Sequence, residues 1–204
     1  MRLVEIDLTL TDDPLPAHVT QLLADAKQRI LALEEESRAA IPAFVPSDFE
    51  LVYRALIAIQ SEHLATGRRL VEWGSGLGVV TCMAVWVGFD AVGIEIEPRL
   101  VQLAEKLAND HQVAAQFTYG NFVPHGAQLR ADHSADTLWL SSEGPDGYHE
   151  LELEPDDFDV VFAYPWPGEE QVIFDLFTDF AAAGALLLTY HGQDGVRLVR
   201  KVRR

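Results

Sequence analysis

One cysteine in 204 residues, Cys82, excludes an intrachain disulfide and any zinc site built from several thiolates. Within an apolar helical stretch it reads as a small core side chain rather than a nucleophile. The seven histidines contain no H-x-x-x-H pair or other tight ligand spacing, which argues against a metal centre. No apolar run reaches the length of a membrane span, and the opening MRLVEIDLTL lacks the charged start and apolar core of a signal peptide, so a soluble, cytoplasmic protein is expected. Bases are scarce as well, 15 against 32 acids, for a net charge of -17. Five of the 15 (Arg197, Arg200, Lys201, Arg203, Arg204) crowd into the last eight positions, so the other 196 residues carry 10 bases against 32 acids. Such a surface repels phosphate backbones and argues against nucleic acid as the main partner. The basic tail is expected to be a solvated edge strand; contact with an acidic partner, or with the chain's own acidic body, is the other reading.

What is present is an ordinary globular composition, 49% apolar and 23% charged, in a length that needs no second core. Residues 1–204 are therefore expected to form a single domain, with an N-terminal strand and helices over 1–66 and a core over 67–204. Residues 3–10 alternate apolar and polar, as in a half-buried strand. A helical pattern runs from Pro16 to about Ala40, and IPAFVPS is a proline-bounded connector. Ser47 and Glu50 have the spacing of a capping box, opening a helix that Gly67 ends. Short apolar runs then alternate with amphipathic stretches: strands over 69–73, 91–96, 115–119, 158–164 and 185–191, helices over 78–88, 98–111 and 168–183. That order predicts an α/β fold, doubly wound, with a mostly parallel sheet and helices on both faces. An acidic insertion, 123–157, interrupts it, and its TLWL and YHELEL segments suggest a hairpin over 137–153.

The stretch RRLVEWGSGLGVV carries the chemistry. In an open parallel sheet, ligands bind beyond the carboxyl ends of the strands, where strand order reverses. Gly74, Gly76 and Gly78 allow a sharp turn and a close backbone approach, and the helix behind them aims free N–H groups at an anionic group. Glu95, near the end of AVGIEI, stands where an acid accepts hydrogen bonds from both hydroxyls of a ribose. A nicotinamide cofactor meets these conditions too. Two details weigh against it: position 79 is Val, so G-x-G-x-x-G fails, and Glu72 would repel a pyrophosphate while suiting an ammonium group.

EWGSGLG followed by VGIEIEP resembles the first two motifs of the class I (Rossmann-like) S-adenosylmethionine-dependent methyltransferases, an acid before G-x-G-x-G and a second acid closing the next strand. The resemblance covers 69–122 and 158–192. It implies that Glu72, Gly74, Gly76 and Gly78 hold the methionine portion of S-adenosyl-L-methionine, and that Glu95 and its neighbour Ile96 hold the ribose. It also places Asn121 and Phe122 at the adenine; Asn121 has an equal reading as the start of a turn. Tyr164-Pro165-Trp166-Pro167 occupies the place of the family's fourth motif, beside the transferable methyl group, but Tyr164 replaces the amide or acid found in members that methylate adenine or glutamine. Upstream, IPAFVPSDFELVYRAL is similar to a segment of a lysine methyltransferase family, although that family has an acid where Leu77 stands. Only enough chain follows residue 191 for one more strand instead of the usual final antiparallel pair, so the sheet is either one strand short or completed by another segment such as 3–10.

The resemblance implies a methyltransferase whose main contribution is alignment of nucleophile and methyl carbon. Tyr164 is the candidate catalytic residue, and Tyr164, Trp166 and Glu169 are candidates for the acceptor site. Glu169, Glu170 and His191 also stand near strand ends as possible bases for a protonated nucleophile. The acceptor, a small molecule or a protein, is not specified by these residues; acidity favours a cationic one, a lysine amine among them. Two rival readings stand: a cofactor-binding sensor or partner subunit without transferase activity, and an NAD-dependent oxidoreductase.

Overall fold

Glu72 is the one buried charged side chain of β2 (Arg69–Trp73), whose other buried residues are apolar because the strand lies between two parallel neighbours with both faces covered. The computed structural model describes residues 1–36, 45–127 and 144–203. Around β2 it places β3 (Asp90–Glu95), β4 (Gln116–Tyr119), β5 (Val160–Ala163), β6 (Leu186–Tyr190), β7 (Val196–Val202) and β1 (Arg2–Ile6) in one sheet of order β1-β7-β6-β5-β2-β3-β4. The five strands β2 to β6 are mutually parallel, and β7 is antiparallel to both β6 and β1. After β2 the chain moves outward to β3 and β4, then crosses to β5 on the other side. The order therefore reverses between β2 and β5.

Two apolar layers flank the sheet. One face carries α1 (Ala17–Glu36), α2 (Phe49–Ser61), α3 (Val79–Val87) and α4 (Pro98–Asp110). On α1 the buried residues Val19, Leu22, Ala26, Ile30 and Leu33 recur every three or four positions, a single apolar stripe. On α4, Leu100, Ala104, Leu107 and Ala108 do the same, and Pro98 presets the first turn. The other face carries α5 (Gly147–Leu151) and α6 (Glu170–Phe180), which buries Val172, Ile173, Leu176 and Phe177. Among the described residues no helix is long and apolar enough to cross a membrane.

The five central strands and three following helices lie within two or three residues of their expected bounds. Four expectations need correction. The basic tail is not an edge strand: β7 is interior, with Leu198, Val199 and Lys201 buried, and β1 fills the edge beyond it. Its bases meet the chain's own body, with Arg197 paired to Glu5 at 3.0 Å, Arg200 donating to the Leu64 carbonyl at 2.6 Å and Lys201 donating to the Ala181 carbonyl. The alternating run 3–10 stops pairing at Ile6, where β7 ends its register. The capping box is absent: Asp48 caps α2 through the Leu51 N–H at 3.0 Å, while Glu50 reaches Arg54 at 2.8 Å, and the helix ends at Ser61, well short of Gly67. Finally, YHELEL is not a hairpin arm. Asp146 accepts from the Tyr148 and His149 N–H groups and starts a helix there, whereas TLWL lies outside the described residues.

Candidate functional site

The reversal between β2 and β5 opens a cleft of about 560 Å³ at the carboxyl ends of the strands. Its walls come from the ends of β2 (Glu72, Trp73), β3 (Glu95, Ile96) and β5 (Phe162, Ala163, Tyr164), from the glycine loop 74–77, and from 45–49 ahead of α2. Gly74 and Gly76 have φ of +72° and +54°, left-handed conformations that a side chain would strain. The loop folds back over β3, where the Gly74 and Ser75 N–H groups both donate to the Ile94 carbonyl at 3.0 Å. Gly93 makes this possible, since a Cβ there would sit 2.6 Å from Ser75.

Both acids are buried and both are held by backbone N–H groups. Glu72, 4% exposed, takes two hydrogen bonds from Thr81 on Oε2, from N at 2.8 Å and from Oγ1 at 2.5 Å. No hydrogen bond from a described residue reaches its Oε1. Burial pushes its carboxyl up to about 8, against the pull of the Thr81 bonds. Glu95 accepts from Gly76 N at 2.7 Å and Glu97 N at 2.9 Å, and burial raises its carboxyl as well. Each oxygen of Glu95 thus receives one backbone bond and retains capacity for another.

Of the residues singled out from the sequence, Glu72, Gly74, Gly76, Glu95, Ile96, Phe122, Tyr164, Trp166 and Glu169 all line this cleft. Gly78 does not. It enters α3 with φ +70°, and a Cβ there would collide with Phe117. Asn121 is also outside the wall; its Oδ1 accepts from Val123 N at 2.8 Å and its backbone bonds to Pro145 and Gly147, as a turn residue would. Tyr164 packs edge-on against Tyr190, ring centroids 4.8 Å apart, and burial raises its phenol. Glu169 is 2% exposed, whereas Glu170 binds the Gly168 N–H at 2.8 Å and lies off the wall. His191 contacts Thr189 Oγ1 at 2.7 Å, also off the wall, and burial lowers its pKa.

Three participants escaped the sequence reading. Thr81 had a legible signal, as the lone hydroxyl in the apolar helix VVTCMAVWV, where a buried polar group needs a partner. Trp73 and Tyr148 had none, because 75 residues separate them; Trp73 Nε1 donates to Tyr148 Oη at 2.7 Å in the interior.

No family model matches the chain. A curated relative, the protein-L-isoaspartate O-methyltransferase of Caenorhabditis elegans, is 37% identical over 102 residues, covering 46% of this chain. That match takes in 45% of the relative's own length, less than half. The solved structure of a methyltransferase from Geobacter sulfurreducens superposes with a TM-score of 0.54 over 93% of this chain and 92% of its own, at 14% identity. The chain has a class I methyltransferase fold. Two further solved structures share this methyltransferase fold, both in complex with S-adenosyl-L-homocysteine. The O-methyltransferase from Bacillus cereus matches at TM-score 0.53 and 15% identity, over 88% of this chain and 68% of its own. An RNA methyltransferase from Salinibacter ruber matches at 0.51 and 21%, over 77% and 92%.

Proposed function

We propose that this chain is an S-adenosyl-L-methionine-dependent methyltransferase acting on a cationic acceptor, an amine. The observation that carries the first half is the pair of buried carboxylates, Glu72 and Glu95, at the tips of adjacent strands on either side of a glycine loop. The group fits the residues present. Glu72 Oε1 suits the ammonium of an amino-acid moiety, Glu95 has acceptor capacity for ribose hydroxyls, and the Trp73–Phe122 stack, with centroids 5.3 Å apart and planes at 6°, offers an apolar wall for a base. When bound, S-adenosyl-L-methionine supplies an electrophilic methyl carbon on a sulfonium. This reading treats residues 1–204 as one domain, with Asn121 and Gly78 shaping the site from behind its surface.

The acceptor half rests on charge. Glu72, Glu95, Glu97 and Glu169 are the charged residues among the described cleft lining, and no base stands with them. A carboxylate acceptor of the kind named for the nematode relative would be repelled, whereas an ammonium would be drawn in. Tyr164 and Trp166 flank its path and Glu169 takes up its proton, freeing the nitrogen lone pair for attack. Phe162 and Ile173 close the floor against water.

Calorimetry with S-adenosyl-L-homocysteine and, separately, NAD tests the cofactor; binding of NAD alone would favour the oxidoreductase. Incubation of cell extract with radiolabelled S-adenosyl-L-methionine tests transfer. Base-stable label is expected from an N-methylated amine, base-labile label would mark a methyl ester and overturn the acceptor, and binding without transfer would favour a sensor.

A further inference from the structure

Tyr148 belongs to the acidic insertion, yet it is 2% exposed and touches the central strand. An indole N–H buried in an apolar layer must find an acceptor, and Tyr148 Oη is the one Trp73 has. Trp73 in turn lies parallel to Phe122, which lines the cleft. The helix that carries Tyr148 is locked to the strand ends. Asn121 N donates to the Pro145 carbonyl at 2.7 Å, and Gly147 N donates to the Asn121 carbonyl at 3.0 Å. Gly147 packs so closely that a Cβ would lie 2.6 Å from Ile94. Residues 144–148 therefore form a strap across the tips of β3 and β4, held at one end by the close approach of Gly144 to Ile96, where a Cβ would lie 2.7 Å away, and at the other by the Gly147 contact and the Tyr148 hydroxyl.

We infer that Tyr148 is a positioning residue for the ligand: through its hydrogen bond it fixes the ring plane of Trp73, which fixes Phe122 as the wall for a planar base. This rests on the cofactor reading above. The ring of Trp73 has rotamers that leave its N–H unbonded, and the bond to Oη selects the one parallel to Phe122.

The test is a set of double-mutant cycles on the full chain, read as S-adenosyl-L-homocysteine affinity by calorimetry. Tyr148→Phe is expected to weaken binding by about five- to tenfold, the size of one lost buried hydrogen bond. The loss should largely vanish in a Phe122→Ala background, where there is no wall to align, and should persist in full in a Glu72→Gln background, at the other end of the ligand. Unchanged affinity in Tyr148→Phe overturns the inference, as does full additivity with Phe122→Ala or equal coupling to both partners, which a general loosening would give. If Tyr148→Phe does not fold, the Trp73→Phe, Tyr148→Phe double variant removes both polar groups together; wild-type affinity in that protein would also overturn the role. Failure of the unaltered chain to bind the compound would sink the cofactor reading itself, whereas binding by the unaltered chain with an indifferent Tyr148→Phe sinks only the positioning role.

Discussion

The two ends of the sheet hold titratable groups of opposite kind. At the carboxyl ends of the strands they are acids, Glu72 and Glu95, and their partners are backbone N–H groups of Thr81, Gly76 and Glu97. At the amino ends they are bases, the half-buried Arg200 and the buried Lys201, and their partners are the carbonyls of Leu64 and Ala181. The polarity of a parallel α/β fold accounts for the difference. Helices begin where strands end, so free N–H groups gather at the cleft, and helices finish where strands begin, leaving free carbonyls at the base. Leu64 follows α2 and Ala181 caps α6, whereas Thr81 is the third residue of α3 and Glu97 the cap of α4. The same backbone asymmetry thus supplies donors to the acids of the cleft at one end and acceptors to the bases at the other. Among the described residues each end also has one buried side-chain polar atom without a partner, Ser75 Oγ near the cleft and Arg200 Nε at the base.

If the ends divide the work in this way, changes at the base should cost stability and spare binding. Lys201→Ala is expected to lower unfolding free energy by about 2–4 kcal/mol in urea titration, from lost packing and an orphaned carbonyl, with S-adenosyl-L-homocysteine affinity unchanged. A matching loss of affinity would break the division. At the cleft, Glu95→Ala should weaken binding by roughly 1.5–3 kcal/mol, since two charge-assisted bonds to ribose go, while stability falls less than in Lys201→Ala. Calorimetry and the same titration decide both.

Acidity sharpens the contrast further. Glu72 has its carboxyl raised from 4.5 to about 8, so between those values the folded chain keeps a proton that the unfolded chain has lost. Its contribution to stability is present below the ordinary carboxylate value and disappears as pH rises toward 8; Glu95, also raised, acts in the same direction. Glu72→Gln should therefore flatten the decline of stability with pH across that window, measured as unfolding midpoints at several pH values; an unaltered slope would place the titration elsewhere. The smallest effect is expected from Arg197→Ala. Its pair with Glu5 is half-exposed on both sides, and its loss should change stability by less than about 1 kcal/mol.

How legible all this was in the sequence follows the distance over which each interaction acts. β2 and its glycine loop could be read because an acid and three glycines inside thirteen residues are a local pattern. Glu95 could be placed at the cleft because the carboxyl end of its strand is a local feature. The Asp48 cap was misassigned because Ser47, one residue earlier, offers an equally good oxygen; only the backbone conformation at 48 decides. YHELEL alternates well enough for a strand, and what overrides that pattern is tertiary: Asp146 capping the turn and Tyr148 drawn to Trp73. The tail reads as an edge strand because its outer neighbour, β1, lies at the opposite end of the chain and no single window contains both; only the shortage of chain after residue 191 pointed to a segment such as 3–10.

That last pairing has a kinetic consequence. Leu3 sits opposite Lys201 and Arg2 opposite Val202, so β1 has no strand to pair with until residues 196–202 have been made. The central parallel strands can assemble beforehand, whereas β1, which precedes them in the sequence, docks after them, and until β7 is in place β6 has an open flank ready to accept a stray strand. Removal of β7 would leave both β1 and β6 without their antiparallel partner, so one strand closes this side of the sheet twice over.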